Sequence, residues 1–191
     1  MIATGRDAGG ERRDLFPVLV ERNLRRAGRS WHGLRRRAEA ELPARRPGTV
    51  RVFEVAGRHV VEPIGVTSDP VAPVDAGSVA LVDLRPRTLF VEVLLRPPTG
   101  ADRCVLKVGF RARVVDAATV ARLRITNLFP ELDAFINQSQ RLRWLVTGTS
   151  LDRLDEAYFR IHQRLIAQCH ANPPDVPGMQ IRLVSVHVTI V

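Results

Sequence analysis

Between Arg103 and Val115 the chain alternates. Leu106, Val108, Phe110, Ala112 and Val114 share one parity, while Lys107, Arg111 and Arg113 take the other. Successive side chains of a strand point to opposite faces, so this run asks for a sheet with one buried and one wet face. The closing stretch, Met179–Val191, is equally β-like. Met179, Ile181 and Leu183 share one parity, but Val184, Val186, Val188 and Ile190 share the other. The apolar face therefore switches at Leu183-Val184, which calls for a bulge there or burial of both faces.

Helical signals fill the interval between these strands. Asp116 is placed to cap a short helix over 117–124, and Pro130 to open a second helix with Leu132, Phe135, Ile136, Leu142 and Leu145. Thr149-Ser-Leu-Asp152 fits a capping box. The helix behind it puts Leu151, Leu154, Tyr158, Ile161, Leu165 and Cys169 on one stripe, until Asn172–Gly178 (NPPDVPG) breaks it. Upstream, Thr49–Val55 and Arg58–Glu62 flank Ala56-Gly57 and predict a hairpin. Residues 63–77 read as an irregular connection, and Ser78–Leu84 and Thr88–Leu95 as two further strands. Strands, then helices, then a closing strand predict an α+β domain over 48–191, a twisted antiparallel or mixed sheet packed by helices.

The first quarter of the chain is different. Residues 1–47 hold 12 arginines against 6 acids, a net of +6 out of the chain's +9. Residues 1–10 (MIATGRDAGG) are small and polar, and residues 1–13 are expected to be disordered. From Asp14, Leu15, Leu19, Leu24, Ala27, Trp31, Leu34, Ala38 and Leu42 recur at steps of three to five, close to the helix period. Phe16, Val18 and Val20 widen that stripe, and Pro17 is tolerable in a first turn. Residues 14–42 therefore predict a basic amphipathic helix, weakened at Gly28 and Gly33 and followed by a linker to residue 47. Such a helix can lie on an anionic membrane, with Leu15, Phe16, Leu19 and Trp31 in the acyl boundary and Arg22, Arg25, Arg26, Arg29, Arg36 and Arg37 on lipid phosphates. It can equally pack on the domain's own sheet, because both readings need the same periodicity. Nucleic acid is the less favoured anionic partner, given 5% aromatic content and no recognisable binding module.

The segment from Arg103 to Val191 resembles the SPFH or band 7 domain of stomatins, prohibitins and flotillins. The likeness rests on a strand ending in R-V-V-D (Arg113–Asp116), a short helix, an arginine-containing helix, T-S-L-D-R-L (Thr149–Leu154) and the closing P-G-M-Q-I-R-L-V-S-V-H-V-T-I-V (Pro177–Val191). Asp116, Arg141 or Arg143, Leu151, Leu154, Gly178, Met179, Ile181, Val184 and Val186 fall at matching positions. Val82–Arg85 (V-D-L-R) extends the likeness less specifically, so that it covers roughly residues 50–191. The resemblance implies a non-enzymatic scaffold that self-associates at a membrane surface.

The residues themselves announce no chemistry. His162 and Cys169 are seven apart, beyond the four-residue spacing by which a helix supplies two metal ligands. Cys169 and His170 are adjacent, and so diverge by about 100° on a helix. Asp152, Asp155 and Glu156 sit where a helix dipole favours acids. No P-loop, G-x-S-x-G, H-E-x-x-H or C-x-x-C occurs. No catalytic residue, metal or cofactor is therefore expected. Two cysteines and no apolar run of about 18 residues fit a cytoplasmic chain, peripheral at the inner membrane face. The expected partners are an anionic membrane surface and further copies of the chain. The alternative is a structural subunit that docks on a partner protein through its basic N-terminal helix.

Overall fold

In the computed structural model, residues 15–25, 38–62, 73–95, 104–138, 142 and 154–190 are described. They form two antiparallel sheets and, among the described residues, three helices. The first sheet contains β1 (Val18–Asn23), β2 (Thr49–Val55), β3 (Arg58–Val61) and β4 (Ala76–Asp83), in the order β1-β4-β2-β3. The second contains β5 (Arg87–Leu95), β6 (Cys104–Val114) and β7 (Met179–Ile190), in that order. Between β6 and β7 lie α1 (Ala117–Arg122), α2 (Phe129–Asn137) and α3 (Leu154–Ala171). The α+β class expected from the sequence holds.

Local chemistry sets the element ends. The expected hairpin is present: Ala56 and Gly57 both have positive φ (49° and 77°), as a two-residue turn matched to strand twist requires. Asp116 caps α1, its carboxylate accepting from the Thr119 amide at 3.1 Å and the Thr119 hydroxyl at 2.7 Å. Those hydrogen bonds hold the Asp116 carboxyl below its ordinary pKa. Asn127 accepts from the Phe129 amide at the start of α2, where Pro130 loses no helical bond. Of the two solutions open at the Leu183-Val184 parity switch, the bulge is the one found. Gly109 pairs with Ser185 and Phe110 with Leu183, which leaves Val184 as the extra residue.

The beginning of the chain departs from expectation. Val18–Asn23, expected to lie in a basic helix over 14–42, is a strand that pairs with β4. Phe16, Val18 and Val20 alternate, and β-branched valines favour a pleated surface. Pairing with β4 sets Val18 against Val82 in the core. Residues 39–41 form a single 3-10 turn, and Leu42 is buried beyond it. The stretch 26–37 of the expected helix, the expected disordered residues 1–13 and the expected capping box at Thr149 lie outside the described residues.

Three packed clusters result. The largest lies between the second sheet and the helices α2 and α3. Leu106, Val108 and Phe110 meet Leu132, Phe135, Ile161 and Leu165 there, and Phe110 contacts Phe135 edge-on at 6.1 Å. A second cluster joins the sheets: α1 and Val114 pack on Val18, Val50, Val52, Ala80 and Val82. The third buries Leu42 on Phe53 and Val79, on the other face of the first sheet. Beside it Arg51, 1% exposed, donates to the Pro43 carbonyl at 2.9 Å and to the Glu39 carboxylate. Glu62, also buried, lies 3.8 Å from the Arg51 guanidinium and accepts from Arg45 at 2.7 Å. The Arg51 hydrogen bond is the main cause of Glu39's lowered pKa.

Candidate functional site

The two segments that carry the family likeness meet. Gly178, with φ +79°, accepts at its carbonyl from the Val115 amide at 2.9 Å and from the Asp116 amide at 3.1 Å. A Cβ at Gly178 would lie 2.7 Å from the Asp116 carbonyl oxygen and 2.9 Å from Val120 Cγ2. The R-V-V-D end of β6 and the P-G-M start of β7 are thus one joint, and α1 is clamped within it. From this joint β7 runs back along the full length of β6.

A second joint links the sheets at V-D-L-R. Asp83 is fully buried at the end of β4. Arg85 grips both its oxygens at 2.9 Å and adds its own amide at 3.1 Å. Arg87 donates to Oδ2 at 3.0 and 3.2 Å, and lies over the Phe16 ring at 5.5 Å. Burial alone would raise the Asp83 pKa, but the arginine hydrogen bonds outweigh it and hold the carboxyl below its usual value.

The residues expected to bind a membrane or partner are split by this arrangement. Phe16 is buried among Val91, Leu128 and their neighbours, so it belongs to the core and not to an exposed apolar stripe. Leu19 is half-buried, whereas Leu15, Arg22 and Arg25 are exposed. Arg26, Arg29, Trp31, Arg36 and Arg37 lie outside the described residues.

The open face of the second sheet collects charge that the expected site did not include. By register, Thr88, Phe90, Glu92 and Leu94 of β5 share it with Val105, Lys107, Gly109, Arg111 and Arg113 of β6. Gln180, Arg182, Ser185, His187 and Thr189 of β7 complete it. Lys107 pairs with Glu92 at 3.1 Å and stands 5.1 Å from the Phe90 ring centre. The alternation in Arg103–Val115 already put Lys107, Arg111 and Arg113 on one side. Only the register could add Arg182, some seventy residues away.

A cavity of about 500 Å³ lies between α3 and β7, lined by Ile166, Cys169, Pro174, Ile181 and Leu183, with His170 and Arg182 as its ionisable neighbours. Burial pushes the Cys169 thiol up to about 11, so it is protonated at neutral pH and a poor nucleophile. Alkylation of Cys169 in the native protein, followed by mass spectrometry of its peptide, should run about a hundredfold slower than in urea. Equal rates would show that the thiol is not shielded. Among the described residues no group of three metal-ligating side chains converges, and no helix is long and apolar enough to cross a membrane.

Comparison of the chain with protein-family models, with curated proteins and with solved structures returns no match.

Proposed function

We propose that the protein is a non-enzymatic scaffold of SPFH or band 7 type, which self-associates at the cytoplasmic face of a membrane and organises partners there. One observation carries the reading: the two motif-bearing segments, R-V-V-D and P-G-M, form a single hydrogen-bonded joint through Gly178, with the long β6 and the closing β7 paired beyond it. A shared sequence order with no shared contact would be weak support. A joint in which each segment supplies the other's backbone partners gives the spacing a physical reason. The mechanism is additive. Each copy holds the anionic surface weakly, and association of copies converts weak sites into avidity.

Two measurements test the proposal on the full chain. Light scattering should give a mass above that of the monomer, rising with concentration. Flotation with vesicles of phosphatidylcholine and phosphatidylserine should carry the protein upward, while phosphatidylcholine alone should not. A monomer at every concentration, or no flotation with the anionic vesicles, overturns the reading.

A further inference from the structure

The membrane-surface reading leaves open which part of the chain meets the lipid, and the open face of the second sheet answers it. Register sets Arg111 directly opposite Arg182, with Arg113 two residues further along β6 on the same face. Cross-strand neighbours lie about 5 Å apart at Cβ, and like charges so placed repel. All three arginines are exposed, and among the described residues none has a carboxylate partner. Glu92, the one acid in the register of this face, is taken by Lys107. An anion lying over the Arg111–Arg182 row relieves the repulsion that the sheet alone does not.

The same face also exposes apolar surface. Phe90 is 44% exposed and Leu94 45%. Phe90 occupies the space above Gly109, where a Cβ would come within 3.0 Å of its ring. From Arg113 to Val105, the partner of Leu94, the face runs about 27 Å. Arginines crowd one end, and towards the other Phe90 and Leu94 flank the Glu92–Lys107 pair.

We infer that this face is the membrane-docking surface, with Arg111, Arg113 and Arg182 on the headgroups of an anionic phospholipid leaflet and Phe90 and Leu94 at its acyl boundary. A leaflet offers both kinds of surface at once. A single-stranded nucleic acid would use several stacking rings, and among the described residues Phe90 is the one Phe, Tyr or Trp on this face. A second copy docked by the same face would bring Arg111, Arg113 and Arg182 of both copies together, which adds repulsion. The inference rests on the membrane-surface reading and deepens it.

The test uses the full chain with Arg111→Glu, Arg113→Glu and Arg182→Glu together, in sedimentation with vesicles of phosphatidylcholine and phosphatidylserine. Each cation near an anionic leaflet is worth about fivefold in partitioning, so the triple charge reversal should lower it by at least about a hundredfold. Phe90→Ser should lower binding while leaving its salt dependence intact. A charge-matched variant, Arg46→Glu, Arg58→Glu and Arg122→Glu, should fall much less. Circular dichroism checks folding, and Arg111→Gln with Arg182→Gln replaces the triple change if the latter unfolds; its expected loss is then about 25-fold. Full binding by the sheet variant, or an equal loss in the charge-matched one, overturns the inference. If wild type binds and only changes at Arg22 and Arg25 abolish it, the docking face is wrong while the scaffold reading stands. If wild type fails to bind the anionic vesicles, both fall.

Discussion

Replacing Asp83 by asparagine should cost about 2–3 kcal/mol of stability, the range for losing hydrogen bonds to a charged group, because Arg85 and Arg87 keep access to solvent. For a chain of this size the melting temperature should fall by on the order of 10 °C. Asparagine keeps the shape of the side chain but offers one acceptor oxygen where Arg85 and Arg87 now share two. Asp83 is fully buried, and its backbone amide donates to the Pro17 carbonyl at 2.9 Å. Asp83 therefore ties three things together: its carboxylate holds the end of β4 to the start of β5, and its amide holds the chain entering β1. Arg85→Met should cost less, because Arg87 still neutralises the acid and Arg85 is itself half exposed. Urea unfolding of both variants checks the order. An Asp83→Asn loss below that of Arg85→Met would remove the carboxylate from its place as the hub.

The pH dependence follows from the direction of the Asp83 shift. Its folded pKa is lowered, so the folded state holds the proton less tightly than the unfolded chain. The stabilisation is then fully present above the unfolded value of about 3.9, and is lost as pH falls through the folded value. The stability gap between wild type and Asp83→Asn should be constant near neutrality and close in acid. Glu39 and Asp116 are shifted in the same direction and add to the acid loss in wild type. Neither changes the gap between the two proteins.

The elements the sequence made legible are those where one local signal had no rival. The Asp116 cap, the Ala56-Gly57 turn and the parity switch at Leu183-Val184 each admit few backbone solutions, and each is found. The start of the chain offered two periods at once. Leu15, Leu19 and Leu24 step like a helix, while Phe16, Val18 and Val20 alternate like a strand. The contest is decided by tertiary pairing, because β4 needs a neighbour on its outer edge and Val18 fits against Val82. Propensity alone does not see that edge. The cationic face was legible by halves for a similar reason. Alternation shows which side of β6 its charges take, but the bulge decides that Arg182, not Ile181 or Leu183, comes up beside Arg111. Asp83 carried no sequence signal of burial, since an acid followed closely by two arginines reads as a solvated charge cluster, and only the placement of β4 shows it buried.

The joint between R-V-V-D and P-G-M allows a second large effect. Gly178→Ala should cost about 3 kcal/mol. An L residue in left-handed backbone costs about 1–2 kcal/mol by itself. The remainder comes from the new Cβ, which would sit 2.7 Å from the Asp116 carbonyl oxygen, a backbone atom that cannot rotate away. Relief requires β7 to slide from α1, and sliding stretches the two bonds that Val115 and Asp116 donate to Gly178. Gly57→Ala separates these contributions. Gly57 has nearly the same φ, +77°, yet nothing lies within 4 Å of its missing Cβ. It should lose only the backbone cost, so the difference between the two alanines measures the contact at the joint. Denaturant midpoints at equal m-values give that difference directly. Equal losses would mean that the two segments merely pass each other, and that the spacing behind the proposed likeness has no physical tie at this point.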